Sequence, residues 1–98
     1  MALFILLISN ASNVFAASND IVINDLMYKP ASGIDDEEYL ELYNRSSTDI
    51  DISGWCFTTG ITACFPSSTT VPAGGYFILS RNNTVTTATY GVGADAIY

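Results

Sequence analysis

The sequence predicts an all-β domain built from short strands, a sandwich or a barrel. Segments with period-two alternation, or with β-branched and aromatic content, recur along the chain. Turn residues separate these segments at intervals of about 8–12 residues. After residue 17 no stretch keeps the 3.6-residue period of an amphipathic helix. With 98 residues, the chain has room for one small domain.

The first two predicted strands flank an acidic loop. The first extends from Ile21 through Met27, and Pro30 ends it because proline has no N–H to donate to a ladder. The second, residues 38–44, alternates strictly, which places Leu40 and Leu42 on the face that points into the core. The opposite face of this strand carries Tyr39, Glu41 and Tyr43.

The later strands are shorter. Residues 49–52 alternate with both isoleucines inward, and residues 55–58 form a strand with Trp55 and Phe57 on one side and Cys56 on the other. Residues 62–65 form the return strand. Residues 71–75 make a tight turn before an apolar strand at 76–80. A turn is predicted at 81–84, and from Val85 onward small and polar residues show no regular pattern.

The two cysteines, Cys56 and Cys64, are predicted to form a disulfide. If residues 59–61 turn a hairpin, the two lie opposite each other on adjacent strands, where Cβ atoms are about 4.5–5.5 Å apart. The alternative is a pair of free buried thiols. A zinc site is disfavoured, because the sequence offers two cysteines and no histidine.

Residues 1–17 are predicted to be a secretory signal peptide. Seven apolar residues, Ala2 to Ile8, precede a polar patch and then Ala16 and Ala17, the expected cleavage positions. Seven residues cannot span a bilayer, which takes about 20. The alternative, an N-terminal buried strand, would leave residues 9–13 as an odd polar insert. The prediction places the domain at 18–98 and the protein in a secreted or cell-surface location, where a disulfide persists.

The charge balance excludes some partners. The chain has ten acidic and three basic residues, which gives a formal net charge of −7. The basic residues Lys29, Arg45 and Arg81 are isolated from one another in the sequence. Binding to nucleic acid or to an anionic lipid surface needs clustered Lys and Arg, so neither is predicted. The absence of histidine removes the commonest general base and metal ligand from the sequence.

Four segments, taken in order, resemble the lamin-tail domain. They are Ile23–Tyr28 followed by Pro30, Glu38–Asn44, Asp51–Trp55 followed by Phe57, and Val71–Tyr76. The resemblance covers roughly residues 20 to 82 and implies an immunoglobulin-like β-sandwich of the exported bacterial type. The positions that match its structural signature are Asn24, Glu38, Tyr39, Glu41, Leu42, Asn44, Gly54, Trp55, Phe57, Pro72, Gly74 and Gly75.

The chain departs from the family pattern in two ways. Its cysteines occupy positions that usually carry polar or small residues, so the disulfide is expected to be a local variant. The family also continues with further strands after the last matched segment, so the sandwich is expected to be incomplete at its C-terminal side.

The resemblance implies a non-catalytic recognition or scaffolding module, with a protein or a polysaccharide as its unidentified partner. An alternative is the N-terminal accessory module of a longer exported hydrolase or nuclease. A further alternative is a calcium-dependent adhesion module, because the run Asp35, Asp36, Glu37 and Glu38 could supply oxygen ligands to Ca²⁺. The same four residues could be considered as a pair of catalytic acids, but a solvated charge run is the better interpretation. No catalytic residue is therefore predicted, and no cofactor other than the calcium ion.

Overall fold

The computed structural model describes residues 6–8 and 20–98. In this part of the chain the strands are β1 (Leu6–Ile8), β2 (Ile21–Met27), β3 (Tyr39–Asn44), β4 (Ile50–Asp51), β5 (Cys56–Thr59), β6 (Ala63–Cys64), β7 (Thr70–Val71), β8 (Tyr76–Ser80) and β9 (Ala96–Ile97). A single turn of 3₁₀ helix spans Asp35–Glu37, and an α-helix, α1, spans Asn83–Tyr90. The β-rich class predicted from the sequence is confirmed.

The strands form three sheets. One has the order β1-β5-β6, a second has the order β2-β3-β8-β9, and β4 pairs with β7. The β3–β8 pairing is antiparallel, with Leu40 opposite Leu79 and Glu41 opposite Ile78, whereas β9 joins β8 in parallel. The described residues divide into two compact units, one made of residues 6–8, 20–22 and 44–75 and the other of residues 23–43 and 76–98.

The first unit buries most of the aromatic and β-branched core. Its buried apolar side chains are Ile21, Ile50, Ile52, Trp55, Phe57, Phe65 and Val71. The rings of Phe57 and Phe65 meet edge to face, 6.0 Å apart. The prediction that Trp55 and Phe57 lie on one side of the strand and Cys56 on the other is confirmed, since the first two are buried and Cys56 is only partly covered.

Two turns in this unit fix the strands that follow them. Gly54 adopts a φ of 76° between Ile52 and Trp55, whose backbone N–H bonds back to the Ile52 carbonyl at 3.0 Å. Most L-residues avoid that region, so glycine suits the position. At Gly75 the reason is space: a Cβ atom would lie 2.7 Å from Cγ of Pro72. Both turns therefore depend on the glycines of the predicted signature.

The second unit is built on β3. Leu40 and Leu42 are buried, as the alternation of β3 predicted, and Leu79 of β8 is buried as well. Ser80 and Thr86 are buried with them, and the Ser80 hydroxyl has no hydrogen-bond partner among the described residues. One face of β3 therefore belongs to the core, and the other is left to Tyr39, Glu41 and Tyr43.

The prediction of a turn at 81–84 followed by irregular chain is wrong, because α1 occupies residues 83–90. The Asn82 side chain accepts a hydrogen bond from the backbone N–H of Val85 at 3.2 Å, which satisfies one of the free donors of the first turn. Gly91 ends the helix in the left-handed conformation, with its N–H bonded to the Thr87 carbonyl. The helix carries both caps although its threonines are weak helix formers.

The predicted signal peptide falls largely outside the described residues. Leu6–Ile8, which lie within it, form β1 and pair antiparallel with β5, with Leu7 opposite Phe57. The alternative to a signal peptide, an N-terminal strand, implies a strand pairing of this kind. The expected cleavage positions are not among the described residues, and the signal peptide stays a prediction.

Candidate functional site

A small cavity lies on the polar face of the second unit, where α1 and the chain after it stand beside β3 and β8. Its volume is about 70 Å³. The residues that line it are Tyr39, Glu41, Ile78, Thr86, Tyr90 and Val92. Two tyrosine rings, one carboxylate and aliphatic side chains therefore share one small space, which we call the tyrosine–carboxylate pocket.

The strand register explains why Tyr39 and Glu41 share the pocket. The two residues are separated by one position on β3, so their side chains leave the same face of the sheet. Ile78 lies opposite Glu41 on β8 and supplies an apolar surface beside the carboxylate. The alternation of β3 is thus the element of sequence that creates this face.

Helix α1 supplies the second wall. The ring of Tyr90 meets the ring of Tyr39 edge to face, with centroids 5.0 Å apart and an angle of 73° between planes. The Tyr90 hydroxyl donates to the Glu37 carbonyl at 3.0 Å, which ties the end of the helix to the 3₁₀ turn. Thr86, also on the helix, is buried and donates its hydroxyl to the Asn82 carbonyl.

Hydrogen bonds to β2 orient the two polar side chains that β3 contributes to the pocket. The Tyr39 hydroxyl donates to Oδ2 of Asp25 at 2.8 Å, and Asn24 Nδ2 donates to Oε1 of Glu41 at 2.8 Å. Burial, followed by the bond to Asp25 and its negative charge, raises the pKa of Tyr39 to about 12. Tyr39 therefore stays a neutral phenol at ordinary pH, and Glu41 is held by a donor from β2.

The rim is formed by the chain that follows α1. Val92 lines the pocket with about half of its surface exposed. This segment is fixed to β8, because the Ile78 N–H donates to Asp95 Oδ2 and the Asp95 N–H donates to the Ile78 carbonyl, each at 2.8 Å. The Ala94 N–H also donates to Asn83 Oδ1 at 2.7 Å. The rim is thus anchored at two points.

The four acidic residues predicted as a possible calcium site lie at the 3₁₀ turn and have partners in the protein. Arg81 approaches Asp36 at 3.9 Å and Glu38 at 3.6 Å, while Glu37 accepts a hydrogen bond from Ser32. Asp35 caps the turn through its carbonyl, which accepts from the Glu38 N–H. Among the described residues, no group of three or more acidic, cysteine or histidine side chains could hold a metal ion. Calcium binding by this loop stays a prediction.

The predicted disulfide is confirmed. Cys56 on β5 lies directly opposite Cys64 on β6, and their sulfur atoms are bonded at 2.09 Å. The Cα atoms are 4.1 Å apart. The bond joins the two strands of the hairpin that the spacing of the cysteines predicted.

Asn44, another signature position, organises the loop after β3 in the first unit. It is fully buried, and its Nδ2 donates to the carbonyls of Thr48 and Val71 at 2.7 and 2.9 Å. Its Oδ1 accepts from both the backbone N–H and the hydroxyl of Ser46. Asn44 therefore bonds mainly to backbone groups, whereas the Asn24 side chain bonds to the Glu41 side chain.

Sequence reasoning singled out Tyr39 and Glu41 but missed the residues that complete the pocket. Thr86, Tyr90 and Val92 all come from the region in which no regular structure was predicted. The available signal was the spacing of Asn82 and Gly91, an N-cap residue and a C-terminal glycine on either side of eight helical positions.

A family model for the lamin tail domain matches residues 15–98. The chain belongs to the lamin-tail domain family. The predicted immunoglobulin-like fold is thereby confirmed, and the family is one of non-catalytic domains of this kind. No curated protein and no solved structure gives a significant match to the chain. Over the described residues, no helix has the length and apolar character needed to cross a membrane.

Proposed function

We propose that this lamin-tail domain is a non-catalytic recognition module that acts outside the cytoplasm and binds through the tyrosine–carboxylate pocket. The observation that carries the proposal is the preformed lining of this pocket, in which Tyr39 donates a hydrogen bond to Asp25 of β2 and Glu41 accepts one from Asn24 of β2. Binding sites commonly combine an apolar lining with a few oriented polar groups. Because the groups are already oriented, little ordering is needed when a ligand enters.

The disulfide supports the proposed location. A bond between Cys56 and Cys64 persists in oxidising compartments and is rare in the cytosol. The predicted signal peptide would deliver the chain to such a compartment. Fusion of the full chain to a phosphatase that is active only after export tests this part. Absence of activity would contradict the location, and activity that does not depend on residues 1–17 would contradict the signal peptide.

A surface-retention assay tests the recognition role. The oxidised chain, fused to a fluorescent protein, is incubated with cells of the source organism and with its isolated surface polysaccharide, and the retained fluorescence is measured after washing. We expect Glu41→Gln and Tyr90→Leu to reduce retention several-fold. Asp35→Asn removes an exposed carboxylate away from the pocket and serves as the control. Retention that is absent, or equal in all variants, would contradict the proposal.

The same module would serve as an accessory domain if it is part of a longer exported hydrolase or nuclease. The coding sequence that follows the codon for Tyr98 decides between the two arrangements. A catalytic domain there would assign the pocket to substrate or surface targeting of that enzyme. The calcium hypothesis is tested separately by melting the protein with calcium and with a chelator, since a bound ion raises the midpoint.

A further inference from the structure

We propose that the tyrosine–carboxylate pocket binds a methylated ammonium group, such as the trimethylammonium head of choline or of a trimethylated lysine side chain. This inference deepens the proposed recognition function and rests on it. The rings of Tyr39 and Tyr90, the Glu41 carboxylate and the aliphatic side chains of Ile78 and Val92 match the chemistry of such a group.

The aromatic part of the lining favours a cation. Aromatic rings carry negative charge on their faces and attract a cation placed within about 6 Å of the ring centre. The two tyrosine rings stand at 73° to each other, so they can contact one compact group from two directions. The hydrogen bond that Tyr39 donates to Asp25 gives its uncharged ring a defined orientation.

The charge of the surroundings agrees with this choice. Within Ile23–Tyr43 and Tyr76–Tyr98 there are seven acidic residues and two basic ones, a formal net charge of −5. The described residues that line the pocket include one carboxylate and no Lys or Arg. An anionic ligand would therefore meet repulsion and no counter-charge.

The remaining lining distinguishes a methylated ammonium from a metal ion. Calcium takes six to eight oxygen ligands, whereas this pocket presents one carboxylate among aromatic and aliphatic surfaces. A trimethylammonium group offers methyl groups to those surfaces and a delocalised positive charge to Glu41. The volume of about 70 Å³ is several times the roughly 10–15 Å³ that one water molecule needs, so the pocket has room for a group larger than water.

The decisive comparison uses choline and its neutral isostere, in which carbon replaces nitrogen. The full oxidised chain is titrated with each compound, and binding is followed by NMR shifts of the Glu41 and Tyr90 backbone amides. We expect choline to bind at least about tenfold more tightly, because the two compounds share their shape and differ in charge. Equal affinities, or no binding by choline, would overturn the proposal.

Three variants locate the binding energy. Glu41→Gln keeps the size of the side chain and should weaken choline binding about tenfold. Tyr90→Leu removes the ring and should weaken it several-fold, whereas Tyr90→Phe keeps the ring and should bind like the parent. If Tyr90→Leu does not fold, the pair of Glu41→Gln and the control Asp35→Asn carries the test. Choline affinity that is unchanged in Glu41→Gln would overturn the assignment of the site.

The source of the group is addressed by a second pair of ligands. Trimethyllysine, blocked at both ends, represents a modified protein side chain, and choline represents a free small molecule. Tighter binding by either one supports the ammonium chemistry and names the source. If neither binds while the surface-retention assay still depends on Glu41, the recognition function stands and the proposed ligand chemistry is wrong.

Discussion

Replacement of Asn44 by alanine should destabilise the domain more than replacement of any exposed amide. Asn44 is fully buried, and its side chain makes four hydrogen bonds, two donated to the carbonyls of Thr48 and Val71 and two accepted from Ser46. The Ser46 hydroxyl also lies 2.9 Å from the Thr48 carbonyl and can still satisfy it. Three hydrogen bonds are therefore lost without replacement.

The expected magnitude follows from that count. At about 1 kcal/mol net for each hydrogen bond, Asn44→Ala should lower the free energy of unfolding by about 3 kcal/mol. A small domain is stable by only about 5–15 kcal/mol, so this is a large share. With a urea m-value of about 1 kcal/mol/M, the midpoint should fall by about 3 M.

Urea unfolding followed by the fluorescence of Trp55, which is buried, measures the change. Asn24→Ala is the matched control, because Asn24 is exposed and its amide donates to Glu41 on the surface, so the substitution should cost less than about 1 kcal/mol. Asn44→Asp keeps the side-chain volume but turns a carboxylate toward two carbonyl oxygens, and should destabilise at least as much as alanine. A midpoint for Asn44→Ala no lower than that of Asn24→Ala would refute the reasoning.

Four further predictions concern stability. Replacing Cys56 and Cys64 with serine should lower the free energy of unfolding by roughly 2.5 kcal/mol, the chain-entropy value for a separation of 8 residues, and an unchanged urea midpoint under oxidising conditions would contradict it. The pKa of Tyr39 is raised from 10.0 to about 12, so its contribution to stability is present below about pH 10 and is lost as the pH rises toward 12. Tyr39→Phe should therefore lose less stability between pH 10 and 12 than the parent, which urea midpoints measured across that window would show. Asn82→Ala should cost about 1 kcal/mol and speed amide exchange in the first turn of α1, and unaltered exchange there would count against the cap. Ser80→Ala removes a buried hydroxyl that has no partner among the described residues, so the midpoint should stay or rise, and a fall above about 1 kcal/mol would show a hidden partner.

The success of the strand predictions has a local cause. In β3, Leu40 and Leu42 alternate with tyrosines and Glu41 along consecutive residues. Any strand places alternate side chains on opposite faces, so this pattern alone predicts which side chains face the core. The hairpin of Cys56 and Cys64 is also local, because a turn of a few residues fixes the register. These features needed no knowledge of distant neighbours.

The failure at α1 has a different cause. Its sequence is rich in threonine, which is a weak helix former, and local propensity therefore argued against a helix. The helix is stabilised by its caps at Asn82 and Gly91 and by contacts with residues far away in the chain, such as the hydrogen bond from Tyr90 to Glu37. Attention to the caps would have located it, but the contacts could not be read from a single segment.

The amino-acid sequence alone determined the β class, the inward face of β3, the disulfide and the family, because each depends on spacing along short stretches of chain. The tertiary structure decided that Tyr39 and Glu41 share a pocket with Tyr90 and Val92, residues about 50 positions later. That pocket exists only where α1 stands beside the sheet, and its position is set by hydrogen bonds and ring contacts between distant segments. Such contacts leave no periodic trace in the sequence, since each of them joins a single pair of residues.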